Sequence, residues 1–304
     1  MTFAKRLGAH PVLVEVIPPA LGATAGRIEQ SLTLVGDLLS VAPADAVNVP
    51  EIIGSGFQSM DPLEFGLLVR ERFKIDVVVN KVVVHEPLPS LRAWARRAVE
   101  APIASVILVG GERSGIYYPG PSVLEANGLV REAAEAAGRA EFRIGNVTLP
   151  SRPGEASRMA AKAAAGADYF TSQIVYDFPS VNAHLQAYDD VCSLGSVQAR
   201  PVLYAFSPAE SRQDVLFLRY LGVNVPAEVE AAILDPRSQE KASLRIIEGI
   251  WSQLLSAARE REVRVPLGAI VETVSKHNAG AVGPLVRRLR TDLAMVAGAA
   301  APTG

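Results

Sequence analysis

The chain contains one cysteine, Cys192, in 304 residues. That scarcity excludes an internal disulfide and any cysteine-built zinc or iron–sulfur site, and the lone thiol is expected to pack rather than to attack. Histidine is also sparse. His10, His85, His184 and His277 are scattered without ligand spacing, so no metal site is expected. The chain lacks an excess of either charge: its formal net charge is −2, with both signs spread along its length. Neither nucleic acid nor an anionic membrane is an expected partner. No apolar run is long and uncharged enough to span a bilayer, and no N-terminal stretch joins basic residues to an apolar signal core. The expectation is a soluble, cytoplasmic protein of open oligomeric state.

What the sequence does have is apolar mass and rhythm. Hydrophobic residues make up 49% of the chain, enough for a large core. Short β-rich runs alternate with longer Ala-, Leu- and Arg-rich segments, which signals parallel β/α units. Eight strands are expected, at Pro11–Ile17, Ala46–Val49, Ile75–Val79, Ser105–Val109, Phe142–Asn146, Tyr169–Ile174, Pro201–Ala205 and Val265–Val271. Eight suggest a closed (β/α)8 TIM barrel. Between the last two strands, Pro226–Leu234 and Ser238–Glu262 read as additional helices, the latter with Leu244, Ile247, Ile250, Trp251 and Leu254 on one face. We therefore expect one barrel domain over residues 1–296, followed by a small, polar tail at 297–304 that frays.

In such a barrel the ligand site lies at the C-terminal strand ends, and four groups of residues fall there. Gly166–Asp177, GADYFTSQIVYD, sets the lone amide of Gln173 near the end of the sixth strand. Two readings stay open: an amide that reads the N–H and C=O edge of a heterocycle, and a structural glutamine bonded to loop backbone. Glu15, in VEVIPPA, is a carboxylate in an apolar strand, where desolvation favours its neutral form and makes it a proton donor near neutral pH. An ion pair inside the barrel is the alternative. LVGGERSG follows the fourth strand, with Gly110 and Gly111 permitting close backbone approach and Glu112 able to accept paired hydrogen bonds from an amidine-like edge. Gln213 and Phe217, four residues apart in SRQDVLFLRYL, share one helix face and suit a flat ligand. Trp94, Trp251 and the Arg287, Arg288 and Arg290 cluster read as packing and a solvated helix face.

These motifs together resemble the methylenetetrahydrofolate reductase family. EVIPP at Glu15–Pro19 is similar to the family's EFFPP, GADYFTSQIVYD to its GAD…TQ…FD signature, and Gln213 and Phe217 precede VNVP at Val223–Pro226 as in the family's N-V-x-I-P element. The resemblance implies that Glu15 protonates N10 of the folate, Gln173 and Glu112 bind the pterin, and Gln213 and Phe217 hold the ligand further out. Glu112 stands in LVGGE where the family has the aspartate of LRGD. The departures gather at the family's flavin contacts: Val109 replaces an arginine, Asn80 a histidine, GNVTLPSR at Gly145–Arg152 the YPExHP element, and VETVS at Val271–Ser275 an FYTLN-like segment. Lys162 remains where the family has a phosphate-contacting lysine, and Glu155 replaces a nearby aspartate. The cofactor-side candidates are then Asn80, Gly110, Gly111 and Lys162. The implied activity is reduction of 5,10-methylenetetrahydrofolate with NADH or NADPH by direct hydride transfer, without tightly bound FAD. An FAD-dependent reductase and a non-catalytic folate-binding subunit are the alternatives.

Overall fold

The computed structural model describes residues 2–53, 57–111, 117–235, 242–273 and 279–299. Eight parallel strands close into a barrel in sequence order, with β8 pairing β1: a (β/α)8 TIM barrel. The elements run α1 (Phe3–Arg6), β1 (Val12–Glu15), α2 (Ala25–Val41), β2 (Ala46–Val49), α3 (Pro62–Phe73), β3 (Asp76–Val82), α4 (Leu88–Glu100), β4 (Ser105–Val109), α5 (Val123–Ala136) and β5 (Arg143–Thr148). They continue with α6 (Glu155–Ala164), β6 (Tyr169–Ile174), α7 (Phe178–Leu194), β7 (Val202–Phe206), α8 (Arg212–Tyr220), α9 (Ala227–Leu234), α10 (Ala242–Glu260), β8 (Leu267–Val271) and α11 (Ala279–Ala299). All eight expected strands form, and α9 and α10 are the additional helices between β7 and β8. The last helix reaches Ala299, into the expected tail; residues 300–304 lie outside the described residues.

Local chemistry sets the boundaries. Asp61 accepts from the Leu63 N–H at 2.8 Å and Pro62 opens α3, while α5 and α8 each begin with a reciprocal capping box, Ser122 with Glu125 and Ser211 with Asp214. Gly166, with φ of 108°, makes the left-handed turn out of α6 that aims the chain into β6. Two strand ends differ from expectation. β3 runs on past the expected Val79 to Val82, with Lys81 held by Glu51 and Glu86. β1 stops at Glu15, and the segment ahead of Met60 takes over the pairing: Ala20 bridges Ser59, and the Met60 N–H donates to the Pro19 carbonyl at 2.8 Å.

Side-chain alternation assigns the two faces of the barrel wall. A Cβ on Gly66 of α3 would strike Val77 and Val79, so those residues face the helices. Val78 and Asn80 therefore face the interior, as do Ala46 and Asn48 on β2 and Leu13 and Glu15 on β1. The floor is sealed by apolar rings. The Tyr169 ring occupies the space a side chain at Gly145 would need, its hydroxyl lies 2.8 Å from Ser105 Oγ, and Phe3 of the short α1 packs edge-on against it at 5.6 Å. That N-terminal plug was not anticipated from sequence; four residues are too few to show periodicity. With the floor closed, a ligand can enter only from the C-terminal strand ends.

Candidate active site

Glu15 ends β1 on the interior side, and Asn48 Nδ2 donates to its Oε2 at 2.8 Å. The two are register partners on β1 and β2, so strand pairing itself sets this contact. Burial pushes the Glu15 carboxyl up to about 7, and the Asn48 hydrogen bond offsets part of that rise. A group titrating there is populated as an acid at neutral pH yet can release its proton. Ion pairing, the alternative role for Glu15, is not what surrounds it: among the described residues no salt bridge reaches it. Beside it stands Glu272, one residue beyond β8. Burial and the Glu15 charge both raise the Glu272 carboxyl well above the ordinary glutamate range.

Next to this pair are two unanswered acceptors. Asn48 is 1% exposed, and with its amide N–H turned to Glu15 its Oδ1 has no partner; Asn80 Oδ1, on the neighbouring interior position of β3, is also buried and without a partner. Buried amide oxygens without partners call for N–H donors. The exit loop beyond Asn80 is rigid. Lys81, on the helix side, binds Glu51 Oε1 at 2.7 Å and Glu86, Glu51 Oε2 accepts from the Val82 N–H at 2.6 Å, and the ammonium lies 5.7 Å from the Trp94 ring centre. Gly110 and Gly111 at the end of β4 have local roles. A Cβ on Gly110 would press Val123 at 3.1 Å, and one on Gly111 would overlap the Tyr118 ring. Glu112 lies outside the described residues.

On the far side of the mouth, Gln173 points toward α8. Its Nε2 donates to the Leu221 carbonyl at 3.0 Å and its Oε1 accepts from the Ile174 N–H at 2.8 Å. These are the loop-backbone bonds of the structural reading. They leave one amide hydrogen and one lone pair open toward a cleft of about 240 Å³ that Gln173 lines with Leu149, Arg152, Tyr176 and Asn224. The clip also seats the end of α8, where Phe217 and Tyr220 stack at 6.3 Å and are 40% and 67% exposed. Exposed stacked rings are a platform rather than core. Gln213 is exposed one turn earlier on the same helix. Gln173 and Phe217 are thus brought to one side of the mouth, and Glu15 and Asn80 to the other.

Lys162 is placed elsewhere. It sits on α6, behind the barrel wall, donating to the Val147 carbonyl at 2.7 Å and lying 3.6 Å from Glu155. Glu155 in turn accepts from Thr148 Oγ1 at 3.0 Å and from Arg152 Nε at 2.6 Å, and Thr148 lies 2.9 Å from His184 Nε2. Burial lowers the Lys162 ammonium from its ordinary value and holds His184 down to about 4. The arrangement braces the β5 exit. The ammonium is bonded within the fold.

Sequence reasoning missed Asn48 and Glu272. Both carried a signal. In PLGAIVE, Gly268, Ile270 and Glu272 alternate in phase, so a second glutamate at a strand end was readable by the logic that singled out Glu15. Asn48 was a lone amide in an otherwise apolar AVNV strand.

No protein-family model matches this chain, and no curated protein matches it. Among solved structures it is similar to an uncharacterized protein from Clostridium thermocellum that binds two copies of 5-methyl-5,6,7,8-tetrahydrofolic acid, at 16% identity and a TM-score of 0.79, covering 95% of this chain and 98% of that one. The 7,8-dihydropteroate synthase of Vibrio fischeri ES114 aligns at 10% identity over 94% of this chain and 93% of that one, and its TM-score of 0.44 carries no argument. At such identities the likeness establishes the barrel. Among the described residues no helix is long and apolar enough to cross a membrane, and no cluster of His, Cys, Asp or Glu could hold a metal.

Proposed function

We propose that this protein reduces 5,10-methylenetetrahydrofolate to 5-methyltetrahydrofolate with NADH or NADPH, by direct hydride transfer. The observation that carries the reading is Glu15: an interior carboxyl at the catalytic end of a closed barrel, held protonated near neutral pH by burial and steadied by Asn48. Opening the five-membered ring of the substrate requires a proton on N10. Glu15 supplies it; the bond between N10 and the methylene carbon breaks with its electron pair remaining on N10, and the carbon is left as an iminium at N5. A reduced nicotinamide, when bound, supplies the hydride and its electron pair to that carbon. The barrel contributes an acid, orientation and exclusion of water.

The two sides of the mouth divide the recognition. Asn48 and Asn80 offer bare acceptors beside the acid, matching the N–H groups of a carboxamide or a pyrimidine edge. Phe217 and Tyr220 offer a flat apolar platform for an aminobenzoyl group, and Gln173 keeps one donor and one acceptor beside it. The bonded state of Lys162 supports a hydride donor that needs no lysine–phosphate contact at α6. Similarity in fold to a protein that binds 5-methyltetrahydrofolic acid is consistent with the product named here.

Anaerobic incubation of the purified protein with methylenetetrahydrofolate and each nicotinamide is the test, following loss of reduced nicotinamide and identifying the folate by mass spectrometry. 5-Methyltetrahydrofolate should appear, and Glu15→Gln should lose roughly 10²–10⁴-fold in rate. Folate bound without turnover points to a binding subunit. Stoichiometric flavin released on denaturation overturns the direct transfer, and an unchanged rate in Glu15→Gln overturns the acid assignment.

A further inference from the structure

Glu15 and Glu272 end neighbouring strands of one closed sheet. β1 and β8 pair in parallel with Val14 opposite Val271, so the next residue on each is a glutamate, and both fall on the interior side. Their backbones are tied in place. Thr273 Oγ1 donates to the Glu15 carbonyl at 3.4 Å, Ser207 Oγ donates to the Glu272 carbonyl at 2.8 Å, and the Glu272 N–H donates to the Phe206 carbonyl at 2.8 Å. Neither carboxyl has a salt-bridge partner among the described residues.

The charged groups on the surrounding elements are committed elsewhere. On β2 the interior neighbour is neutral Asn48, and Glu51 beyond it is matched by Lys81. The interior position of β3 is neutral Asn80. After β7, Ser207 is neutral and its carbonyl accepts from the Tyr176 hydroxyl, while Asp214 accepts from the Glu210 and Ser211 N–H groups. On α11, Arg287 donates to the Val41 carbonyl, Arg288 pairs with Asp292, and Arg290 with Asp45 at 2.8 Å. Two acids therefore face each other without a counter-charge among the described residues.

We propose that Glu15 and Glu272 form a carboxyl pair that carries at most one negative charge near neutral pH, in which Asn48 makes Glu15 the member that releases its proton and Glu272 the member that keeps its own. Two adjacent buried carboxyls do not both ionise, because the first negative charge opposes the second. Something must then decide which one ionises. The deciding contact is Asn48 Nδ2 on Glu15 Oε2, a donor that stabilises the Glu15 anion; among the described residues Glu272 has no corresponding side-chain donor. Glu272 is a positioning residue, since it acts through Glu15 and reaches no reacting atom. Its role in turnover rests on the reductase reading. When Glu15 has given its proton to the substrate nitrogen, neutral Glu272 keeps the mouth at one negative charge, and a proton from water restores Glu15.

The protonation states are testable in the ligand-free protein by NMR of isotope-labelled glutamate carboxyls across pH. Glu15 should titrate near 7 and Glu272 above it. Glu15→Gln should bring the Glu272 midpoint down, and Asn48→Val should move the Glu15 midpoint up by about one to two pH units, the worth of a hydrogen bond to a charged group. Glu272→Gln, a neutral isostere of a protonated acid, should leave Glu15 titrating near 7 and preserve the pH midpoint of the reductase rate. Glu272 titrating with ordinary glutamates, or unmoved by Glu15→Gln, overturns the pair. A pair that titrates as stated in a protein that does not turn over methylenetetrahydrofolate retires the reductase reading alone; turnover with two independent ordinary carboxyls retires the pair alone.

Discussion

A carboxyl raised by burial must destabilise the fold that raises it, and at Glu15 the size and sign of that effect can be worked out. Its folded value is about 7 against an ordinary 4.5. Between those values the native state binds more protons than the unfolded chain, so stability from this group is fully present below 4.5, falls as pH rises, and is lost once pH passes 7. The span corresponds to about 3 kcal/mol as an upper bound, because the carboxyl keeps some solvent contact and is coupled to Glu272. Glu15→Gln removes the ionisation but keeps the shape and an acceptor for Asn48. The substitution should be near neutral at pH 5 and should make the protein more stable than wild type by up to about 3 kcal/mol at pH 8. Urea unfolding of both proteins at the two pH values measures it, read as a difference in midpoint at unchanged slope, in which all other titrating groups cancel. A variant that tracks wild type at both pH values would refute the reasoning. On the reductase reading, the expected variant is both more stable and slower.

Two further perturbations test the supports of the mouth. Lys81→Met should cost about 3–5 kcal/mol by leaving Glu51 and Glu86 without their shared cation, and a loss under about 1 kcal/mol in urea unfolding would show that the cluster is not a buried brace. His184 is held near 4, below its ordinary 6.5, so stability from its neutral form is present above 6.5 and is lost as pH falls through 4. His184→Gln should flatten the acid limb of the stability curve between those values; an unchanged limb rejects the assignment.

Much of the fold was legible because a parallel barrel writes its period plainly: short β-rich runs, most of them apolar and buried, alternate with longer helical crossovers. Pro62 and the Ser122 and Ser211 boxes marked their helix starts in the sequence itself. What sequence could not place were contacts made between distant elements. The ion pairs of Lys81 with Glu51 and Glu86 and the bonds of Lys162 to Val147 and Glu155 join elements that the sequence does not show as neighbours. Gln173 is the instructive middle case. Its position at a strand end was readable, whereas its bond to the Leu221 carbonyl depended on where α8 stops.

The two ends of the barrel differ in how fully their described polar groups are matched, and that difference supports the proposed site without reference to any relative. At the floor, Asp45 is shared by Arg6, Arg290 and the Val12 N–H, Asp76 by Arg70 and the Phe3 N–H, and Ser105 by Tyr169 and the Arg143 carbonyl. At the mouth, two carboxyls lack cations, and two amide oxygens lack donors within a few positions of each other on β1, β2, β3 and β8. The remaining orphan, Trp251 Nε1, lies apart, against Phe206 on the helix side of β7. Unmatched polar groups destabilise a fold, and a sequence that pairs these charges at one end had the means to pair them at the other. On the reading proposed above, Glu15, Asn48 and Asn80 keep these groups free for the ligand: a basic nitrogen for the acid, and N–H donors for the amides.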